Sequence, residues 1–327
     1  MTKIAIIGAG IAGLTVANEL SDFAQIIVYE KSRGTGGRMA TRHAVPYAFD
    51  QGTPYFIAEK QAGKDAMRDW AKNGYIKPWA NMRNHTALSH LPPIDQPGQT
   101  YYVATPHMNQ FGKSFAANNH IQLSTEIASI ISAGKQWQLL DENDKQLGLF
   151  DWVVIATPAP QASSLVPPQF SGLNLLNVVS MHGCFTLMLG FEKPFHFDPT
   201  KVDLSGSPIS HIIENSAKPG RTEEMSLVVH TANAWAEEHL DYDKESVREM
   251  LLSATLAALP KGTPHPTHTE IHRWRYAATQ IPACVDFIID TDNQLAACGD
   301  WCIGSSVEDA YLSGSRLSER IRNLLAA

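Results

Sequence analysis

Gly8-Ala9-Gly10-Ile11-Ala12-Gly13, followed by Glu30 and then by Gly36-Gly37-Arg38, is the stretch that decides how this chain folds. Lys3-Ile-Ala-Ile-Ile7 ahead of it is a short apolar run of the kind a buried parallel strand needs. Gly8 permits a tight turn, Gly10 lets backbone approach a diphosphate, and Gly13 allows a helix to pack closely on the strand. Residues 11–23 read as that helix, with Ile11, Leu14, Ala17 and Leu20 available to the sheet and the positive N-terminus facing the phosphates. Gln25-Ile-Ile-Val-Tyr29 reads as a second strand that ends on Glu30. A carboxylate there accepts from both ribose hydroxyls and disfavours a 2′-phosphate. The expectation is a bound dinucleotide on a Rossmann-type α/β unit. A secretory leader is a rival reading of these residues, but glycines interrupt the apolar run and Glu19 follows it. The other rival, a glycine-rich turn without a ligand, does not account for the acidic residue in register.

The 327-residue chain is long enough to bury a large core without staples, and its length suggests two domains. A net charge of −7 supplies no basic field for nucleic acid or an anionic membrane. No apolar run has the roughly 20 residues that a membrane span requires. The four cysteines, Cys184, Cys284, Cys298 and Cys302, are too few and scattered for a disulfide framework, and read as free thiols. A soluble cytoplasmic protein is expected, with no protein partner indicated.

Farther along, residues 88–100 read as a turn-rich connection and 106–118 as a helix with Met108, Phe111 and Phe115 on its apolar face. Residues 121–149 alternate in short strands with turns at Gly134 and at 141–144, a β-meander. A buried strand then runs from Asp151 into Ala156-Thr157-Pro158. Strands are expected at 183–191, 226–231 and 269–277, and a helix at 242–258 with Val247, Met250, Leu251, Ala254 and Ala258 inward. At the end, residues 294–298 form a strand, Gly299-Asp300 a turn, and Ser306-Val-Glu-Asp309 a capping-box-like helix start. Both ends of the chain thus contribute to one nucleotide unit, with a sheet-rich unit inserted between them.

A nicotinamide dehydrogenase has no need of Gly36-Gly37-Arg38-Met39 just past the ribose acid. A longer flavin dinucleotide does, because an arginine there can pair with phosphate bidentately. With the Ala156-Thr157-Pro158 strand end and the late Gly299-Asp300, these motifs resemble the amine-oxidase superfamily of flavoproteins. Within it, the chain resembles the bacterial renalases through Lys31-Ser-Arg-Gly-x-Gly-Gly-Arg-Met39, Asp50-x-Gly-x-x-Tyr55-Phe56, Ala156-Thr-Pro-Ala-Pro-Gln-Ala162 and Lys218-Pro-Gly-Arg221. His230-x-x-x-x-Trp235, His272-Arg-Trp274-x-Tyr276 and Cys298-Gly-Asp-Trp-Cys302, with Val307-Glu308 and Leu312-Ser-Gly314 beyond, extend the likeness to nearly the whole chain. One loop departs: renalases carry Gly-Ala-Gln-Tyr where this chain has Gly52-Thr53-Pro54-Tyr55, so that glutamine is missing.

The resemblance implies a Rossmann-type FAD-binding domain with an inserted mixed-β substrate domain, the p-hydroxybenzoate-hydroxylase or amine-oxidase-like architecture. Residues 1–54, 103–165 and 283–327 would form the first, and 55–102 with 166–282 the second. FAD would be bound non-covalently by Gly8, Gly10, Ile11, Ala12, Gly13, Glu30, Lys31, Gly37, Arg38, Met39, Gly52, Thr53, Tyr55, Ile127, Gly299, Asp300 and Val307. It implies that Asp300 contacts a hydroxyl of the flavin chain and that the next helix aims its N-terminus at the flavin. His272, Trp274, Tyr276 and Trp301 would be catalytic.

His268, Glu270, His272, Trp274 and Tyr276 share parity, so on a strand they point to one face, with Arg273 and Arg275 on the other or reaching phosphates from the rim. That face can be a substrate wall, a plain core or solvated face, or, with His265, a metal site; the prolines at 264 and 266 and the lack of a nearby cysteine argue against metal. Trp79 and Trp235 are further wall candidates, and Trp301 can equally be a packing residue at a helix entry. Residues 263–281 contain no lysine, whereas many amine oxidases place one near the flavin. The implied substrates are dihydronicotinamide dinucleotides reduced at ring carbon 2 or 6, with O2 as acceptor and H2O2 as product. An FAD amine oxidase of small amines and a flavin-binding protein without turnover are the alternatives.

Overall fold

The computed structural model describes residues 1–88 and 99–326; most of the expected turn-rich 88–100 connection lies outside them. Its central sheet has six strands in the order 288–290, 295–297, 152–155, 3–7, 25–29, 121–122. Only 288–290 runs antiparallel to its neighbour. The first strand, β1 (Lys3–Ile7), explains why both faces must be covered. Ile4 and Ile6 enter a core with Leu14, Val16 and Leu20 of helix α1 (Ile11–Leu20) and with Leu317 and Ile321 of the C-terminal helix Val307–Ala326. Ala5 and Ile7 point the other way, into Trp137, Leu139 and Phe150 of the three-stranded antiparallel meander. Period-two alternation between two apolar faces is what a parallel strand sandwiched between layers requires.

Helix α1 stops at Leu20, three residues before the expected end, and the chain turns there into β2 (Gln25–Tyr29). The C-terminal helix packs against α1 so closely that a Cβ on Gly314 would stand 2.6 Å from the Ala12 carbonyl oxygen. Its start is a reciprocal cap: the Asp309 amide donates to Ser306 Oγ at 3.0 Å, and the Ser306 amide donates to Asp309 Oδ2 at 3.2 Å.

A second sheet of five antiparallel strands, in the order 268–281, 180–190, 226–231, 209–214, 86–88, lies beside the first. Leu187, Leu189, Leu227, Val229 and Ile212 bury one face under the Lys244–Ala258 helix through Val247 and Leu251. In that helix Met250, expected inward, is exposed: only the narrow stripe of Val247, Leu251 and Thr255 is fully buried. The opposite face of the sheet turns toward the nucleotide unit. None of the helices among the described residues is long and apolar enough to cross a membrane.

Candidate active site

A cleft of about 1780 Å³ runs from Glu30 at the end of β2, across the N-terminus of α1, to the inward face of the five-stranded sheet. Pockets for one small molecule typically measure roughly 300–1,000 Å³, so this one has room for a cofactor and a substrate together.

The nucleotide end is built from the glycine loop. Helix α1 begins at Gly10 without a side-chain cap, leaving its first-turn N–H groups available to an anion. A Cβ placed on Gly10 would meet nothing within 4 Å, because it would project into the open cleft. On Gly13 it would stand 2.1 Å from the Gly8 carbonyl oxygen, so Gly13 sits behind the cleft wall and permits the close packing of α1 on β1. Glu30, buried, accepts from the amides of Ala9 and Ser32, both at 2.8 Å. A carboxylate has capacity for further donors, so it both holds the loop and faces the cleft. Gly8, Ile11, Ala12, Lys31, Gly37, Met39, Tyr55 and Ile127 line this cleft, as do Gly52, Thr53, Gly299 and Val307. The Thr53 amide donates to the Arg38 carbonyl at 2.8 Å, which draws the loop at 52–55 onto Gly37-Arg38.

Arg38 is spent differently from the expectation. Its two terminal nitrogens hold both oxygens of Asp300, at 2.9 and 2.5 Å, and one also donates to the Ala277 carbonyl at 3.1 Å. Opposite charges set in a partly buried place find each other: the fork that could grip phosphate here ties the Gly36-Gly37-Arg38 turn to Asp300 at the end of the first sheet, and the bond to Ala277 links it to the second. A single helical turn at Asp300–Ile303 stops at Gly304, and the helix expected to start at Ser306–Asp309 begins at Val307, its first turn reaching the cleft through Val307 and Ala310. Trp301 is 1% exposed and donates its indole N–H to the Thr157 carbonyl at 3.0 Å, so it packs at the helix entry and borders the cleft only from within the core.

At the other end, strand register assembles residues far apart in sequence. Thr186 pairs with His272 on one side and with His230 on the other, and His230 pairs with His211. These four therefore form one row across four strands, all lining the cleft. Cys184 and Trp274 form the next row. His272 and Trp274 meet edge to face with centroids 4.3 Å apart, and Trp274 donates to the Gln51 carbonyl at 3.0 Å. Thr186 donates to the same carbonyl at 2.8 Å, so residue 51 pins two strands of the second sheet to the loop at 51–55.

A β-bulge opposite His182–Cys184 breaks the alternation of the strand at 268–281, and residues 272–278 all border the cleft. Tyr276 is among them. Two of the five same-parity residues stay out: Glu270 pairs with Arg42 at 3.1 Å, and His268 stacks on Phe49. Trp79 and Trp235 are not in the wall; Trp79 is core beneath Lys218, and Trp235 stacks on His239 at 3.9 Å. Among the described residues no group of three or more His, Cys, Asp or Glu could hold a metal ion. His211 carries no sequence signature, because only its register with His230 marks it, and His230 stands out in the sequence only as part of a motif.

The imidazoles of the row are kept neutral. Burial pushes His211 down to about 4; burial, then His211 and Lys218, push His230 to about 3; burial, then Arg42 and Lys244, push His272 to about 4. An unfolded chain binds protons at these positions below about pH 6.5 while the fold still refuses them. Stability must therefore fall as pH drops from about 6.5 toward 4, by at most on the order of 1 kcal/mol per unit for each of these partly exposed groups. Urea melts at pH 7.5 and 5.0 are expected to show this loss, and His230→Gln to reduce the dependence by about one proton; equal slopes for the two proteins would refute the assignment.

Behind the row lies a buried ion cluster that explains two of the sequence motifs. Asp50 Oδ1 accepts from Thr41 Oγ1 at 2.9 Å and the Met108 amide at 3.0 Å. Its Oδ2 accepts from Lys218 Nζ at 3.1 Å and from Arg221 at 3.1 and 2.5 Å. Burial alone would raise the Asp50 carboxyl, but Lys218 and Arg221 hold it far below the usual range, and burial lowers Lys218 to about 8.

The chain matches the flavin containing amine oxidoreductase family over residues 58–322 and an NAD(P)-binding Rossmann-like domain over residues 6–70. It belongs to the flavin-containing amine oxidoreductase family, an oxidoreductase whose cofactor is FAD. Among solved structures it is similar to cyclohexylamine oxidase from Brevibacterium oxydans, at 14% identity over 100% of both chains with a TM-score of 0.75. It is also similar to a putrescine oxidase bound to putrescine, at 11% identity over 98% of both chains with a TM-score of 0.70. At these identities the likeness is one of fold. The site agrees with the cofactor: the uncapped N-terminus of α1, the open position beside Gly10 and the acid at Glu30 form a cradle for a dinucleotide.

Proposed function

We propose that this protein is a renalase-like oxidase that converts 2- or 6-dihydro isomers of NAD(P)H to NAD(P)⁺, with O2 as acceptor. FAD, held non-covalently, supplies the two-electron relay: the substrate ring gives up a hydride, one proton is taken from solvent, and O2 leaves as H2O2. One observation carries the reading. The part of the cleft wall contributed by the second sheet, His272, Trp274, Tyr276, Thr186, His211 and His230 among it, contains no lysine, aspartate or glutamate among the described residues. A dihydropyridine becomes aromatic as the hydride leaves, so no base is needed in that step. What the wall must do is hold a flat, neutral ring in a near-attack position, and neutral imidazoles with an edge-on indole suit that task. Thr186 and the Gln51 carbonyl keep Trp274 from swinging. Cys184 is the cysteine that borders the cleft, and burial raises its thiol above the ordinary range, which fits FAD without a thioether.

Family membership favours a second reading, oxidation of small amines. Anaerobic stopped-flow mixing with 6-dihydroNAD, benzylamine and a polyamine separates them. Rapid bleaching by the dihydropyridine alone is expected; bleaching by the amines alone would overturn the proposal. His272→Ala is expected to slow bleaching about tenfold or more by loosening the ring position, with FAD retained. Loss of the flavin from that variant would show instead that His272 belongs to the cofactor's support.

A further inference from the structure

The geometry points to a diphosphate subsite at the mouth of the cleft, formed by Arg273 and Arg275, for the phosphates of a dinucleotide substrate. It rests on reading the inner wall as the site of the substrate's ring, and supplies the part of the site that reading leaves open. The strand at 268–281 is the outer strand of its sheet, so residues of both parities border the cleft along its edge, and the bulge releases Arg275 and Tyr276 from the ladder. His272, Trp274 and Tyr276 then stand beside the guanidinium-bearing residues on one short segment, ring wall and cations one residue apart. A ribose separates a nicotinamide ring from its phosphate, so the phosphate has to lie one sugar beyond the ring wall, toward the rim.

The two arginines are steadied without being fully neutralised. Arg273 donates through one terminal nitrogen to the carbonyls of Leu240 at 2.7 Å and Tyr242 at 3.4 Å, and has no carboxylate partner among the described residues. Arg275 pairs at 2.9 Å with Asp241, which is 86% exposed. So exposed a pair is weak and readily exchanged for a phosphate, with which arginine forms stronger paired bonds. The charged groups that act on His272 are Arg42, which is itself paired with Glu270, and Lys244. In a chain with a net charge of −7, a cationic mouth over a neutral ring pocket is a local arrangement with no origin in composition. It also repels a protonated amine.

The test uses the FAD-loaded enzyme and two kinds of probe. ADP-ribose carries the diphosphate without the ring, so its binding reports on the mouth whatever chemistry the inner wall performs. It is expected to bind wild type and to bind Arg275→Gln about tenfold more weakly, with Arg273→Lys retaining most of the affinity and Arg273→Gln losing it. The second probe is the pair 6-dihydroNAD and 6-dihydronicotinamide riboside. Arg275→Gln should raise the KM for the dinucleotide about tenfold, leave the limiting rate of flavin reduction unchanged, and leave the riboside unaffected. Failure of wild type to bind ADP-ribose, or an equal effect of the arginine variants on dinucleotide and riboside, would overturn the subsite. Binding of ADP-ribose without any bleaching by either dihydropyridine would instead retain the subsite and overturn the proposed reaction.

Discussion

Asp50→Ala is expected to destabilise the protein by about 3–5 kcal/mol, the usual effect of breaking a buried ion pair from one side. The loss is large because Asp50 is fully buried and is the shared partner of two fully or almost fully buried cations, Lys218 and Arg221. Removing it leaves two buried positive charges, Arg221 with the carbonyls of Ala104 and Pro219 and Lys218 over the Trp79 ring. It also releases the Met108 amide and Thr41 from Oδ1, and so loosens the start of the helix Asn109–Ala116 against the glycine loop. Denaturant melts read this directly, and double substitution with Lys218→Met should recover part of the loss, because one of the orphaned charges goes with it. A single substitution within about 1 kcal/mol of wild type would show that water reaches the cluster.

Gly10→Val should do the opposite: keep the fold and abolish cofactor binding. Gly10 has φ −76° and ψ 178°, an extended conformation any residue adopts, and its Cβ position is open. The valine side chain would fill the space beside the N-terminus of α1 where a diphosphate must lie against backbone. Thermal melts of the apoprotein are expected to match wild type, while FAD titration shows affinity reduced more than about a hundredfold, or roughly 3 kcal/mol of lost contact. Wild-type affinity in the variant would mean that the diphosphate lies elsewhere. Gly13→Ala is the control with the other outcome, since its Cβ would collide with the Gly8 carbonyl and force α1 off β1.

These two residues mark how far the sequence can be read. Gly10, Gly13 and Glu30 sit in one contiguous strand–turn–helix–strand unit, whose geometry follows from local backbone conformation and alternating apolar residues. Asp50 and Arg221 could be noticed as motifs, but their pairing is invisible without the fold, because an ion pair between distant residues leaves no periodic trace. The same holds for Arg38 and Asp300: each was singled out for a ligand, and the fold brings them to each other. The tryptophans show the converse limit. An indole suits a core as well as a wall, so Trp79 and Trp235 went to the core while Trp274 went to the cleft.

By itself, the sequence determined the nucleotide-binding unit, the kind of cofactor and a strand that borders the cleft, because short-range glycine geometry and period-two burial are written locally. Tertiary structure alone decided which face of that strand meets the cleft and what stands beside it. Antiparallel register sets His272, Thr186, His230 and His211 in one row, and the outer position of the 268–281 strand, with its bulge, brings Arg273 and Arg275 to the same opening. Register and bulges are settled by how whole sheets pack, and no stretch of the chain contains that information on its own.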